Sequence, residues 1–130
     1  MELISVMVII GFIAVFAIPN YQRMVEKSHE RDAVTNLRII AAAQEAYFTE
    51  YGAYWPSVAG WQTVGAINSN LRINIIENQI QYSCAFFIGI TWCFADRVGG
   101  PVWRVQINSN NWQPICGGGA CPTCDGGGCP

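Results

Sequence analysis

LISVMVIIGFIAVFAIPNYQ, residues 3–22, is a run of twenty residues without a charge, closed by Arg23. As a helix rising about 1.5 Å per residue it would span about 30 Å, the thickness of a bilayer's hydrocarbon core. A cleavable signal peptide would want a basic stretch before a shorter apolar run and a small-x-small cleavage site. Here the residue preceding the run is acidic Glu2, and no Lys or Arg lies upstream. Residence in a membrane at some stage is therefore the stronger reading. Glu2 fits either as a headgroup-level carboxylate favoured by the positive end of the helix dipole or as an acid kept for a cation on another chain. Inside a helix, Pro19 deletes a backbone hydrogen bond and clashes with the preceding turn, predicting a kink or local melting. Gly11 is a second soft point.

Beyond Pro19 the pattern turns amphipathic. Apolar residues recur at Val25, Val34, Leu37, Ile40, Ala41, Tyr47, Phe48 and Tyr51, while Glu26, Lys27, Glu30, Arg31, Asp32 and Arg38 mark polar faces. Gly52 is the expected stop, followed by Pro56. The reading is one helix of about fifty residues. Its first half needs lipid or copies of itself, and its second needs a globular partner.

The remaining sequence supplies that partner. Residues 56–80 read as loop, with one short element of undetermined type near Leu71–Ile76. Strand-like runs follow at Ile80–Ile88, Ile90–Ala95, Val102–Ile107 and Asn111–Cys116, separated by turn formers. The expected fold class is α+β: a long N-terminal α-helix whose apolar half protrudes and whose amphipathic half packs on a 3–4-stranded antiparallel sheet, with a disulfide-rich C-terminal loop. The boundaries expected are 1–24 for the apolar helix and 25–130 for the head. Trp92, Trp103 and Trp112 read as core or sheet-face residues rather than a ligand box.

Cysteine usage points outside the reducing cytosol. Cys84, Cys93, Cys116, Cys121, Cys124 and Cys129 are six in 130 residues, which suggests disulfides in an oxidising compartment. The tail CGGGACPTCDGGGCP has six glycines and four cysteines in fifteen residues and needs crosslinks or a metal to be ordered. Zinc would want a second CxxC pair or a histidine partner, and His29, the one histidine, lies on the helix. If Ile88-Gly89 makes a two-residue hairpin turn, Cys84 faces Cys93 at a non-hydrogen-bonded position, close enough for a disulfide. Alternatively, one of that pair reaches the tail.

Composition excludes other classes. The chain is 52% hydrophobic and 12% charged, with a net charge of −2, against about 25% charged in ordinary globular chains. That is neither a disordered composition nor a nucleic-acid footprint. No nucleophile elbow, phosphate loop or HExxH occurs, and Asp96 and Asp125 stand apart. The expectation is no enzyme, no cofactor and no metal.

The first 54 residues, about 40% of the chain, resemble the type IV pilin and pseudopilin superfamily. Over residues 1–54, MELISVMVIIGFIAVFAIPNYQ matches that family's apolar helix, with Glu2, Gly11 and Pro19 in the family's spacing and IPNYQ at 18–22 a typical continuation. QEAYFTEYGAYW at 44–55 is similar to the family's helix end. The resemblance places the family's mature N-terminus upstream of Met1. It implies that Glu2 pairs with the terminal amine of a neighbouring subunit, and that the segment softened by Gly11 and Pro19 can stretch during packing. Phe12 and Phe16 would line a filament core. It further implies a C-terminal disulfide-closed loop, which Cys116–Cys129 would suit. Its partners would be other copies of itself, the membrane before assembly, and pilus assembly machinery. The implied location is the inner membrane, then a filament on the bacterial surface. The alternatives are a pseudopilin of a secretion or DNA-uptake system and a membrane-anchored binding domain that never polymerises.

Overall fold

A computed structural model describes residues 2–119 and 121–123; for Glu2, Phe16, Ala17 and Pro19 it describes the backbone alone. The first element, α1, runs from Glu2 to Tyr51. It is helical through Pro19, so of the kink or local melting expected there the melting is not found. Gly52 ends the helix at φ 73° and donates its N–H to the Phe48 carbonyl at 2.8 Å. That left-handed conformation is one glycine adopts without a Cβ clash.

The head is a five-stranded sheet with one short helix. In chain order come β1 (Gly60–Thr63), α2 (Val64–Leu71), β2 (Ile80–Phe87), β3 (Ile90–Arg97), β4 (Trp103–Asn108) and β5 (Ile115–Gly119). The spatial order is β1-β2-β3-β4-β5, every neighbouring pair antiparallel. The architecture is the expected one with an extra strand. β1 and α2 occupy the stretch read as loop. Leu71–Ile76 contributes only the end of α2 and an irregular strap, anchored where the Asn68 side chain bonds both the Ile75 N–H (2.9 Å) and the Ile75 carbonyl (2.8 Å).

Ile88 and Gly89 form the β2–β3 turn with φ 49° and 79°. Two consecutive positive φ values match the right-handed twist of the flanking strands. Cys84 therefore lies opposite Cys93, and the two form a disulfide with Cα atoms 4.1 Å apart. The second disulfide departs from what the resemblance implied. Cys116 bonds Cys121, not Cys129, across 6.1 Å between Cα atoms. Cys124 and Cys129 lie outside the described residues.

The last strand also shifted, from the expected Asn111–Cys116 to Ile115–Gly119. It uses the tail glycines as a sheet edge. A Cβ on Gly119 would run into the Val102 carbonyl and sit 2.9 Å from the Trp103 Cα, and one on Gly117 would strike the Gln106 side chain. Removing side chains is what lets this strand lie close against β4, where a register shift occurs between Arg104 and Val105. A strand built from glycines carries no alternation for a sequence reading to detect.

The core forms where α1 crosses the sheet over β3 and β4. Ala33, Val34, Leu37, Ile40 and Ala41 of α1 pack with Tyr82, Cys84, Cys93, Ala95, Trp103, Val105 and Ile107. Trp103 is fully buried, while Trp92 and Trp112 are half-buried. Phe48 and Tyr51, expected on the apolar stripe, stay exposed at the end of α1.

Candidate functional site

Among the described residues, none from the first half of α1 joins the head's core. Thirteen large apolar side chains from Leu3 to Met24 are exposed, with Leu3 at 80%, Phe12 at 67% and Met24 at 70%. This is the one helix among the described residues long and apolar enough to cross a membrane, with a mean hydropathy of 2.4 and none of that window buried. Apart from its neighbours and the helix's own backbone, nothing comes within 4 Å of a Cβ built on Gly11, so that position offers a smooth notch for another backbone. Phe12, Phe16 and Pro19 recur at i, i+4 and i+7, which puts them on one face of the helical backbone. Glu2 lies at the helix's first position. All five residues singled out for assembly therefore belong to α1, upstream of its contact with the head.

That contact is polar at its start, which the sequence reading missed. Glu26 accepts a two-pronged ion pair from Arg97, Nε to Oε2 at 3.1 Å and Nη2 to Oε1 at 3.0 Å, and a bond from the Trp103 indole at 3.2 Å. The side chains of Arg97 and Glu26 are only 5% and 15% exposed. Arg97 also donates to the carbonyls of Gln79 (3.1 Å) and Val98 (2.5 Å). One turn further, Glu30 is fully buried and accepts from both the backbone N–H and the hydroxyl of Thr123 at 2.6 Å. Buried carboxylates are tolerable when so matched. By residue type alone, Glu26 and Glu30 read as polar-face residues. The clue was their phase: 26, 30, 33/34, 37, 40/41 and 44 form one stripe at helical spacing, acidic at the bottom and apolar above.

The upper end of the joint is also tied by polar bonds. Gln44, fully buried, bonds both the N–H (2.9 Å) and the carbonyl of Trp55. Glu45 accepts from the Tyr54 hydroxyl (2.9 Å) and the Trp112 indole (2.5 Å). Midway, Asn36 donates to the Tyr82 hydroxyl at 2.7 Å, and burial of that phenol holds its pKa above the usual value. These bonds orient the head on the helix. Among the described residues no group of three or more His, Cys, Asp or Glu is placed to hold a metal.

No family model matches the chain, and no solved structure matches it. A curated relative, the type IV major pilin protein PilA of Myxococcus xanthus (strain DK1622), is 40% identical over 53 residues, covering 41% of this chain. The chain spans 24% of that relative's length. The shared stretch makes the N-terminal part of this chain similar to a type IV major pilin, and its long, half-bare helix on an antiparallel sheet agrees with the pilin and pseudopilin likeness.

Proposed function

We propose that this chain is a structural subunit that polymerises through residues 1–24 into a type IV pilus filament on the bacterial surface, residues 25–130 forming the head. The observation that carries the reading is the bare half of α1. Burying one Leu, Ile, Val or Phe contributes about 1.5–3 kcal/mol, and thirteen large apolar side chains stand exposed along it. A membrane takes them up before assembly, and other copies of the helix do so afterwards. In the filament, Gly11 permits close approach, Phe12 and Phe16 fill the space between helices, and Pro19 marks where the backbone yields. Glu2 sets the register, because an acid among apolar helices is tolerated only where a cation meets it. Assembly machinery in the inner membrane would feed the process.

A pseudopilin shares this geometry, but the stretch shared with a major pilin favours the pilus. The test is to shear the cell surface, image the released material by cryo-electron microscopy and identify its subunits by mass spectrometry. Filaments made mainly of this chain are expected, with a Glu2→Leu variant incorporated poorly alongside wild type. A surface bare of the chain would sink the pilus reading. Full incorporation of Glu2→Leu would remove Glu2 from the mechanism.

A further inference from the structure

Between the apolar half of α1 and its packed half, residues 23–38 read RMVEKSHERDAVTNLR, with Arg23, Lys27, Arg31 and Arg38 set against Glu26, Glu30 and Asp32. On paper the charges nearly cancel. In the fold they do not. Glu26 is turned inward onto Arg97 and Trp103, and Glu30 onto Thr123. Asp32 lines a different groove with His29, Asn36 and Tyr82. The four cations are all exposed, and none joins either ion pair found among the described residues.

At about 100° per residue these four fall within about 80° of one another around the helix. They make one positive stripe on a chain whose net charge is −2. Like charges a turn apart repel, so such a stripe is eased by an anion. Its position names the anion. Arg23 directly follows the uncharged run, and Lys27 lies about 6 Å further along the axis, both within a Debye length of about 8–10 Å of a membrane surface. Arg23 and Lys27 also wall a groove of about 550 Å³, shared with Gln22, Glu26 and the head residues Pro101 and Pro122. The Glu26 carboxylate in that wall is already engaged by Arg97.

We propose that Arg23 and Lys27, in the groove closed by Pro101 and Pro122, bind the phosphate headgroup of an anionic phospholipid while the apolar half of α1 sits in the membrane. Arg31 and Arg38 extend the positive field away from the surface. The proposal rests on the membrane reading above. It assigns the stripe a role before assembly, holding the head against an anionic leaflet.

The test is flotation of the purified full chain with vesicles of phosphatidylcholine alone, or with 3:1 phosphatidylcholine and phosphatidylglycerol. Each basic residue near such a surface strengthens binding roughly five-fold, so Arg23→Gln/Lys27→Gln should lose the preference for phosphatidylglycerol by about twenty-five-fold. Binding to phosphatidylcholine alone should be unchanged, and Arg72→Gln, at the distant end of α2, should behave as wild type. An undiminished preference in the double variant, or an equal loss in Arg72→Gln, would overturn the proposal while leaving membrane insertion intact. Failure to float with either vesicle would sink the membrane reading and this proposal with it. Inorganic phosphate at fixed ionic strength is the second probe. If it abolishes the preference, the groove takes free anions and the lipid assignment falls.

Discussion

The two halves of α1 are one continuous helix with opposite economies of contact. From Leu3 to Met24 thirteen large apolar side chains are exposed among the described residues. From Glu30 to Gln44 one face is sealed against the sheet and the other is wet. Helix propensity does not separate them, since both halves are regular helix. What separates them is who supplies the partner surface. The second half completes its contacts within its own chain, so its substitutions should register as head stability. The first half puts no described residue into the head's core, so its substitutions should register in association with lipid or other subunits.

The largest expected effect lies where the halves meet. Truncating Glu26 to Ala leaves Arg97, 8% exposed, without its carboxylate partner. Breaking a buried ion pair on one side costs about 3–5 kcal/mol. Because Arg97 keeps the carbonyls of Gln79 and Val98, the loss should fall at the lower end, measured by urea unfolding in detergent. Replacing both partners by Leu should cost less than either truncation. A Glu26→Ala protein as stable as wild type would mean that the joint is held by its apolar contacts alone.

How much of this was legible follows the same division. The bare half could be read because its signal is continuous: twenty uncharged residues need no phase to interpret. The β2–β3 hairpin was legible conditionally: if Ile88-Gly89 is the turn, the register puts Cys84 opposite Cys93, one of the two pairings the sequence left open. The joint was obscured because Glu26 and Glu30 were sorted by chemistry instead of by position on the helix. Their partners Arg97, Trp103 and Thr123 lie 71 to 93 residues away, beyond any local pattern. β5 was hidden for the opposite reason, since Gly117 to Gly119 have no side chains to alternate. The Cys116 pairing depended on that strand: once β5 runs to Gly119, Cys121 lies within reach and carries Thr123 toward Glu30.

The next effect sharpens the contrast directly. Leu37, fully buried in the second half, should lose about 2–5 kcal/mol of head stability when changed to Ala, through lost burial and the cavity left behind. Phe12→Ala in the first half removes a larger side chain that is 67% exposed, and head unfolding should not move. Its effect should appear as reduced filament yield. If Phe12→Ala lowers the unfolding midpoint as Leu37→Ala does, the first half folds back on the head in solution and the division of labour is wrong.

The smallest effect isolates burial from chemistry. Arg104 grips Asp96 on the outer sheet face with the same two-pronged geometry that Arg97 uses on Glu26, Nε to Oδ1 at 2.5 Å and Nη2 to Oδ2 at 3.0 Å. The partners here are 40% and 32% exposed, and the guanidinium also lies 5.0 Å from the centre of the Phe94 ring. The Asp96 carboxylate holds the Arg104 pKa above its usual value, so the cation is present at any pH of interest. Water already solvates this pair, and salt screens it. Asp96→Asn should therefore cost only about 0.2–1 kcal/mol, shrinking further in molar salt, whereas the Glu26→Ala loss should be nearly insensitive to salt. Measuring both variants at low and high ionic strength turns two pairs of like geometry into a test of location. An Asp96→Asn loss as large and as salt-resistant as that of Glu26→Ala would show that the outer face is shielded as thoroughly as the joint, and would point to a covering surface there in the assembled state.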